Sequence, residues 1–387
     1  MSIEKLEQII RIGILILVGS LIFSLFIAQV VVILLVILWL IKLIVFKKAN
    51  LKNNPFTFPF IAFVIARIIS VFLSTDFSQS VQILNKEIFF YPLFFIVVDI
   101  FPIDDKQYFK WFLIILFLAA VFASIYGSSI VLLGFSERAK STTSGYYTLG
   151  TFLTVVAAFL LVIGSDKYII PSKLVWAFSL IVIVVGILFT FNRIHWAIIG
   201  LIILVFGFIR ERKIIFFISL ASAIIIISVP VFRERFLQLL LFSSNLSDRD
   251  VLWKGAGMIY SEHPIFGFGP NTFKEIFPLF ENLNDKNVSS WHSDYLQVYM
   301  ESGLVGFITF LWLGVSVFYI GIKMLLKKTI DTFNKELALA LTLAMTCLYL
   351  TGTVGTFIFN PISTLLFQLL LGILAVSYRK MKMIGND

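Results

Sequence analysis

Among the residues able to do chemistry in this chain, three histidines and a small set of arginines stand out. His292 lies in the polar stretch SSWHSDYLQVYMESGLVGF, residues 289–307, just ahead of an apolar run. An imidazole there can accept a proton from an attacking hydroxyl near neutral pH, although a single histidine at such a position also commonly plays a structural part. Asp294 follows two residues later, a spacing that does not bring two side chains together on one helix face. Arg193 occupies the tight turn Phe191-Asn192-Arg193-Ile194-His195-Trp196 between two apolar runs. A guanidinium in that place is suited to bidentate phosphate contacts or to simple anchoring at the membrane boundary. His195 reads as an interfacial imidazole rather than a catalytic one. Arg249 opens the segment SDRDVLWKGAGMIYSEHPIFGFGPNTF, residues 247–273, with Trp253 one turn beyond it. Cys347 is the only cysteine, so no internal disulfide and no cysteine-based metal site is available.

These residues must be positioned by elements buried in a bilayer. The chain is 59% hydrophobic and only 14% charged over 387 residues, more apolar than one water-soluble core can hide. About 20 apolar residues span the hydrocarbon layer. Twelve stretches of that kind are expected, at 9–27, 29–46, 57–74, 82–101, 109–134, 146–165, 173–191, 194–210, 213–232, 303–326, 335–357 and 362–378. The first two run together, with Ala28-Gln29 as the candidate turn, which argues against a signal peptide. The runs lack the period-two alternation of a barrel. The expected fold is therefore an all-α polytopic membrane protein, one transmembrane domain over residues 1–387.

Lysine and arginine set the orientation. With the N-terminus cytoplasmic, twenty of the 31 cations fall in the inner loops or tails, nine fall outside, and Arg67 and Lys86 lie inside spans. Both termini are expected in the cytoplasm. The formal charge of +9 thus reflects topology first, and a nucleic-acid partner is not implied. One connection departs from the pattern of short loops: residues 233–302, expected on the periplasmic side between spans nine and ten, with six Lys/Arg and nine Asp/Glu. Loops of this length are commonly functional or disordered. Its aromatic residues and the helix-like run Val251–Tyr260 favour a folded segment with short helices. Pro264 to Pro270, with Gly267 and Gly269, should end that helix in a turn; Gly267-Phe268-Gly269 follows no strand and is not read as nucleotide binding.

Charges that topology does not explain carry the functional reading. Arg67 in span three and Lys86-Glu87 in span four are costly in hydrocarbon unless they face a polar interior or one another. An Arg67–Glu87 pair and a contribution to an outward-opening cavity both account for them. Arg138, in SERAKSTTSGYYTLG, is also expected outside.

In combination, the Arg193 turn, the Arg-x-x-x-Trp helix ending in HPIFGFGPNTF, and WHSDYLQVYMESGLVG resemble the O-antigen ligase and polymerase superfamily, from about Phe60 through Phe310. Ser293 stands where members commonly carry asparagine. The resemblance implies an inverting, metal-independent glycosyltransferase without a cofactor, at the periplasmic face of the bacterial inner membrane. Its donor would be a glycan on undecaprenyl diphosphate and, in the ligase branch, its acceptor a sugar hydroxyl of the lipid A core. By the same resemblance Arg193 and Arg249 engage the donor diphosphate and His292 assists the acceptor. Arg138, Asp294, Trp253 and Arg67 are the further candidates for substrate contacts. An O-antigen polymerase or a protein O-oligosaccharyltransferase would share donor and motifs. A twelve-span transporter or flippase is the reading from a different class, disfavoured because the unexplained charges gather toward one face rather than the midplane.

Overall fold

The computed structural model describes residues 2–384 apart from positions 53, 165, 287, 329 and 330 and most of 210–248. Its described elements are helices, and no strand occurs among the described residues. In chain order they are α1 (Ile3–Ser20), α2 (Leu25–Ile41, extended by a π-helical turn at Lys42–Phe46), α3 (Thr57–Phe72), α4 (Phe77–Glu87), α5 (Pro92–Ile100) and α6 (Lys106–Leu132). There follow α7 (Tyr146–Val162), α8 (Lys173–Phe189), α9 (Arg193–Ile209), α10 (Arg249–Ile259) and the short α11 (Phe273–Ile276). A 3-10 turn at Phe280–Lys286 leads to α12 (Asp294–Leu326), α13 (Thr332–Thr351) and α14 (Pro361–Ile384).

Five of the described helices are long and apolar enough to cross a membrane: α2 with its π turn, α6, α12, α13 and α14. The apolar helices α3, α7, α8 and α9 are shorter. Large apolar side chains such as Phe26, Phe58, Leu174 and Phe208 are exposed around the bundle, a surface that suits lipid rather than water. The chain is therefore read as a multi-pass membrane protein. The span expected over 213–232 lies largely outside the described residues.

Helix α7 is the axis of the bundle. Every residue from Thr148 to Val162 is buried, and the helix packs against α13, α8 and α9. An all-round apolar helix has no other stable place. The connections alternate between two ends. At one, which holds the start of α1 and the end of α14, Tyr108 reaches the Arg11 carbonyl and Lys380 pairs with Asp104. At the other, the α8–α9 turn, α10 and the residues before α12 meet the end of α13. This second end, here the arginine end, carries Arg193 and Arg249.

Three expected spans are corrected. The first turn falls at Leu21–Ser24 rather than Ala28-Gln29, because the Ser24 hydroxyl accepts the Ile27 amide and caps α2. The run 82–101 is interrupted after Glu87, with Pro92 starting the separate α5, and Lys86 is exposed on α4 rather than embedded in a span. The helix expected to reach 357 stops at Thr351, and residues 352–360 form a loop.

Helix α12 is broken at Gly303 (φ 61°, ψ −163°), the position where the tenth span was expected to begin. The hydrogen bonds freed by the break are taken up by the 264–270 loop. Amides of Phe268 and Gly269 donate to the Met300 and Glu301 carbonyls, while amides of Leu304 and Val305 donate to the Pro264 and Ile265 carbonyls. A Cβ on Gly303 would lie 2.3 Å from the Ile265 carbonyl oxygen, and one on Gly267 would lie 2.5 Å from the Glu301 carbonyl carbon. Both glycines have positive φ, so space and backbone conformation both demand glycine. Gly303→Ala is accordingly expected to lower the melting temperature of the purified protein markedly, whereas Gly257→Ala, with open space around it, should leave it unchanged. Equal melting temperatures for the two variants would show that the interlock contributes nothing.

Candidate functional site

At the arginine end, two helices begin with the two arginines singled out from sequence. The α8–α9 turn is tight because Phe191 adopts a left-handed conformation (φ 49°) and the Asn192 side chain accepts the Ile194 amide. Arg193 is thus the first residue of α9, half-buried. Arg249 is the first residue of α10 as described, and it is also half-buried. The first turn of α9 places Arg193 near the positive end of that helix's dipole, which favours an anion.

The two guanidinium groups and the imidazole act on one another. Partial burial draws the Arg249 pKa below the usual guanidinium value; Tyr147 opposes that lowering, and the positive charge of Arg193 adds to it. His292 is likewise pulled below its ordinary value of 6.5, first by partial exclusion of water and then by Arg249. The imidazole is therefore neutral at neutral pH, the form able to accept a proton. The Arg249 Nη2 donates to the Val354 carbonyl at 2.8 Å, a neutral acceptor that leaves the cation's charge available.

His292 owes its position to its neighbours. It adopts φ 48°, a left-handed conformation that costs a non-glycine residue about 1–3 kcal/mol unless the surroundings over-determine it. On one side Trp291 is 1% exposed and packs edge-on against Phe273 and Phe277, at centroid distances of 4.9 and 5.7 Å. This small core, with Leu252, Ala256 and Ile259 of α10, is separate from the main one. Gly255 lets Phe277 approach α10, since a Cβ there would lie 2.2 Å from the ring. On the other side the amide of Asp294 donates to the Gly352 and Gly355 carbonyls at 2.8 and 3.0 Å. With both neighbours fixed and buried, His292 is left exposed between them.

Asp294 departs from its expected role. Its side chain is fully buried and accepts from Thr356 Oγ1 at 2.6 Å and from the Phe357 amide at 2.8 Å. A carboxylate so enclosed cannot meet a substrate, and it shapes the site indirectly. It closes the 352–357 turn onto the residues beside His292, and that turn presents the Val354 carbonyl to Arg249. The carbonyl positions Arg249, and Asp294 positions the carbonyl. Ser293 is buried with its hydroxyl 3.3 Å from the Gly352 carbonyl it donates to.

Arg67 is also reassigned. It is 1% exposed and gives a two-pronged contact to Glu87, Nε to Oε2 at 3.1 Å and Nη2 to Oε1 at 2.9 Å, while Nη1 bonds Glu301. The Phe359 ring covers it at 4.2 Å. Two carboxylates saturate the guanidinium, so it binds protein rather than substrate. The Arg67–Glu87 pair foreseen from the sequence is present, and Glu301, two residues before the Gly303 break, joins it.

Of the remaining candidates, Arg138 stacks on the Tyr146 ring at 4.4 Å, and Tyr146 in turn acts electrostatically on Arg249. Arg138 therefore borders the cluster. Trp253 is 56% exposed, one helical turn from Arg249. His195 is wholly buried, with Nε2 3.1 Å from Thr151 Oγ1 and the ring seated on Gly150, in keeping with a structural role. Tyr146, Tyr147 and the Val354 carbonyl were not anticipated. The tyrosines follow Arg138 in SERAKSTTSGYYTLG, whereas a main-chain acceptor leaves no mark in a sequence. Among the described residues no three His, Cys, Asp or Glu side chains form a group able to hold a metal ion.

A family model described as O-antigen ligase matches residues 177–311. The match runs from α8 through α12 and contains Arg193, Arg249 and His292 while leaving out Arg67 and Arg138. No curated protein matches the chain.

Proposed function

From the similarity of residues 177–311 to O-antigen ligases, a likeness that points to glycan transfer, we propose that this chain is an O-antigen ligase. The donor is a glycan on undecaprenyl diphosphate and the acceptor a sugar hydroxyl of the lipid A core. Transfer takes place at the periplasmic face of the inner membrane, with both chain termini in the cytoplasm. The observation that carries this reading is that Arg193 acts electrostatically on Arg249, and Arg249 on His292, all three within the matched residues 177–311.

In the proposed reaction the acceptor hydroxyl attacks the anomeric carbon from the face opposite the diphosphate. A new C–O bond forms as the bond to the diphosphate oxygen breaks, and the configuration inverts. His292 takes the hydroxyl proton, and undecaprenyl diphosphate leaves with the bonding electron pair. Arg193 and Arg249 hold the growing charge in fixed positions within a partly desolvated cleft, which lowers the barrier without a metal. Arg138, stacked on Tyr146, and the exposed Trp253, one turn beyond Arg249, supply further donor contacts.

The test is incubation of purified protein with an undecaprenyl-diphosphate glycan and three acceptors: lipid A core, a second lipid-linked glycan, and protein. Product mass on lipid A core supports a ligase. Mass on a longer polyprenyl chain would make the protein a polymerase, and mass on protein an oligosaccharyltransferase. Rates should be the same in excess EDTA; a strict need for added Mg²⁺ or Mn²⁺ would sink the metal-free mechanism.

A pH profile examines His292 directly. Because partial exclusion of water and the charge of Arg249 hold its pKa down, the basic form persists to lower pH than for a free histidine. The acidic limb of the activity profile should therefore fall at lower pH than it would for a free imidazole. His292→Ala should reduce kcat by about 10²–10⁴-fold with donor affinity little changed, the range for loss of general base catalysis. A variant with wild-type kcat would remove the imidazole from the chemistry.

A further inference from the structure

The end of the bundle that holds the start of α1 and the end of α14 carries a second charged site, unrelated to the arginine cluster. Its floor is Lys42, 3% exposed, which bonds Glu7 at 3.0 Å and Asp99 at 2.8 Å. Asp99 also accepts from Trp39 Nε1 at 2.9 Å and from the Asn50 amide at 2.6 Å. Arg379 of α14 donates to the Asn50 and Val98 carbonyls at 2.5 and 3.1 Å. These bonds hold the 42–52 segment against α5 and α14 and leave a cleft of about 930 Å³ between them.

Charge in this cleft does not balance. Seven cations line it, Arg11, Lys42, Lys47, Lys48, Lys52, Arg379 and Lys380, against the four acids Glu7, Asp99, Asp104 and Asp105, a surplus of three. The acids are already engaged. Glu7 and Asp99 hold Lys42, Asp104 holds Lys380 at 2.7 Å, and Asp105 caps α6 by accepting the Tyr108 amide at 3.0 Å. Arg379 bonds only carbonyls among its described contacts, and Lys47, Lys48 and Lys52 are exposed.

The basic rim adjoins an apolar margin. Ile44 and Val45, in the π turn that runs into Lys47, are 72% and 63% exposed, and Ile41 is exposed just before them. The chain turns sharply at Lys47 (φ 50°), so Lys47 and Lys48 follow directly after that apolar surface. A preference for basic residues on one side of a membrane accounts for lysines in loops. It does not account for a walled cleft whose acids are consumed internally and whose cations border exposed aliphatic side chains. Cations above an apolar margin match an anionic phosphate above acyl chains.

We propose that this cleft binds the phosphate headgroup of an anionic phospholipid, with the acyl chains lying along Ile41, Ile44 and Val45. Free phosphate would satisfy the cations and leave the apolar margin unused. The site does not depend on the glycan-transfer reading, and its test reads no transfer activity.

The experiment titrates full-length protein in neutral detergent with phosphatidylglycerol, phosphatidylcholine or inorganic phosphate, following melting temperature and lipid adducts by native mass spectrometry. Phosphatidylglycerol should raise the melting temperature and give retained adducts, and the other two should not. Lys47→Ala/Lys48→Ala/Lys52→Ala, all at exposed positions, should melt as wild type without lipid and bind phosphatidylglycerol about a hundredfold more weakly. The single variant Lys48→Glu should weaken binding in the same direction. Equal binding of phosphatidylcholine, equal protection by inorganic phosphate, or wild-type lipid affinity in the triple variant would each overturn the proposal.

Discussion

Arg249→Ala is expected to reduce glycan transfer by at least 10²–10³-fold in kcat/KM, and Arg193→Ala by a similar factor, in a protein that still folds. The factor is that for removing one fixed donor from a developing negative charge in a water-poor site. Arg249 is the more informative position because its described hydrogen bond goes to the Val354 carbonyl, so truncation strands no buried carboxylate. The guanidinium groups also oppose each other, as the lowering of Arg249 by Arg193 indicates. Bringing two cations together is unfavourable until an anion arrives, and that cost in the free protein becomes selectivity for a doubly charged leaving group. Arg249→Lys retains a charge and loses the planar fork, so it should recover only part of the activity. The measurement is steady-state transfer from a lipid diphosphate glycan, with melting temperature as a folding control. Full activity in a well-folded Arg193→Ala/Arg249→Ala double variant would dispose of the proposed site.

The second large effect concerns stability rather than chemistry. Arg67→Met should destabilise the protein by about 3–5 kcal/mol, the usual consequence of removing one member of a buried ion cluster. Glu87 and Glu301 would then face each other without a cation, with Glu301 only 2% exposed. Arg67→Met/Glu87→Gln/Glu301→Gln, which removes all three charges together, should recover much of the loss. If Arg67→Met melts as wild type while transfer fails, Arg67 touches substrate after all and the reassignment made above is wrong. Gln297, whose side-chain amide donates to Glu301 Oε1 at 3.0 Å, and Tyr91, whose hydroxyl donates to Glu87 Oε2 at 3.0 Å, complete the cluster. Neither contact is to a solvent-exposed group, which is why the loss should be large.

Much of this arrangement was legible before any coordinates. Helices α3, α6, α7, α8 and α9 begin and end within about three residues of their apolar runs, because a span needs a minimum apolar length and little else. Arg193, Arg249 and His292 could be picked out because cations and imidazoles are scarce where topology disfavours them. What escaped was whatever depends on a distant partner. Arg67 and Glu301 are 234 residues apart, and nothing in either neighbourhood links them. The 352–357 turn is apolar enough to read as helix; contacts from distant residues, the Asp294 carboxylate and amide, the Ser293 hydroxyl and Arg249, hold it otherwise. The break after Glu87 did carry a visible sign in Pro92, which was outweighed by the length of the apolar run around it.

The interlock at Gly303 bears on how the site moves. Four amide-to-carbonyl bonds cross between the broken helix and the 264–270 loop, and the Thr75 amide donates to the Phe268 carbonyl as well, tying both to the α3–α4 junction. Swinging this loop away would leave those backbone groups unpaired at once, so there is no cheap partial opening. The 264–270 loop therefore does not behave as a lid. Under the proposed function, any opening for glycan and acceptor has to come from parts of the protein other than this interlock.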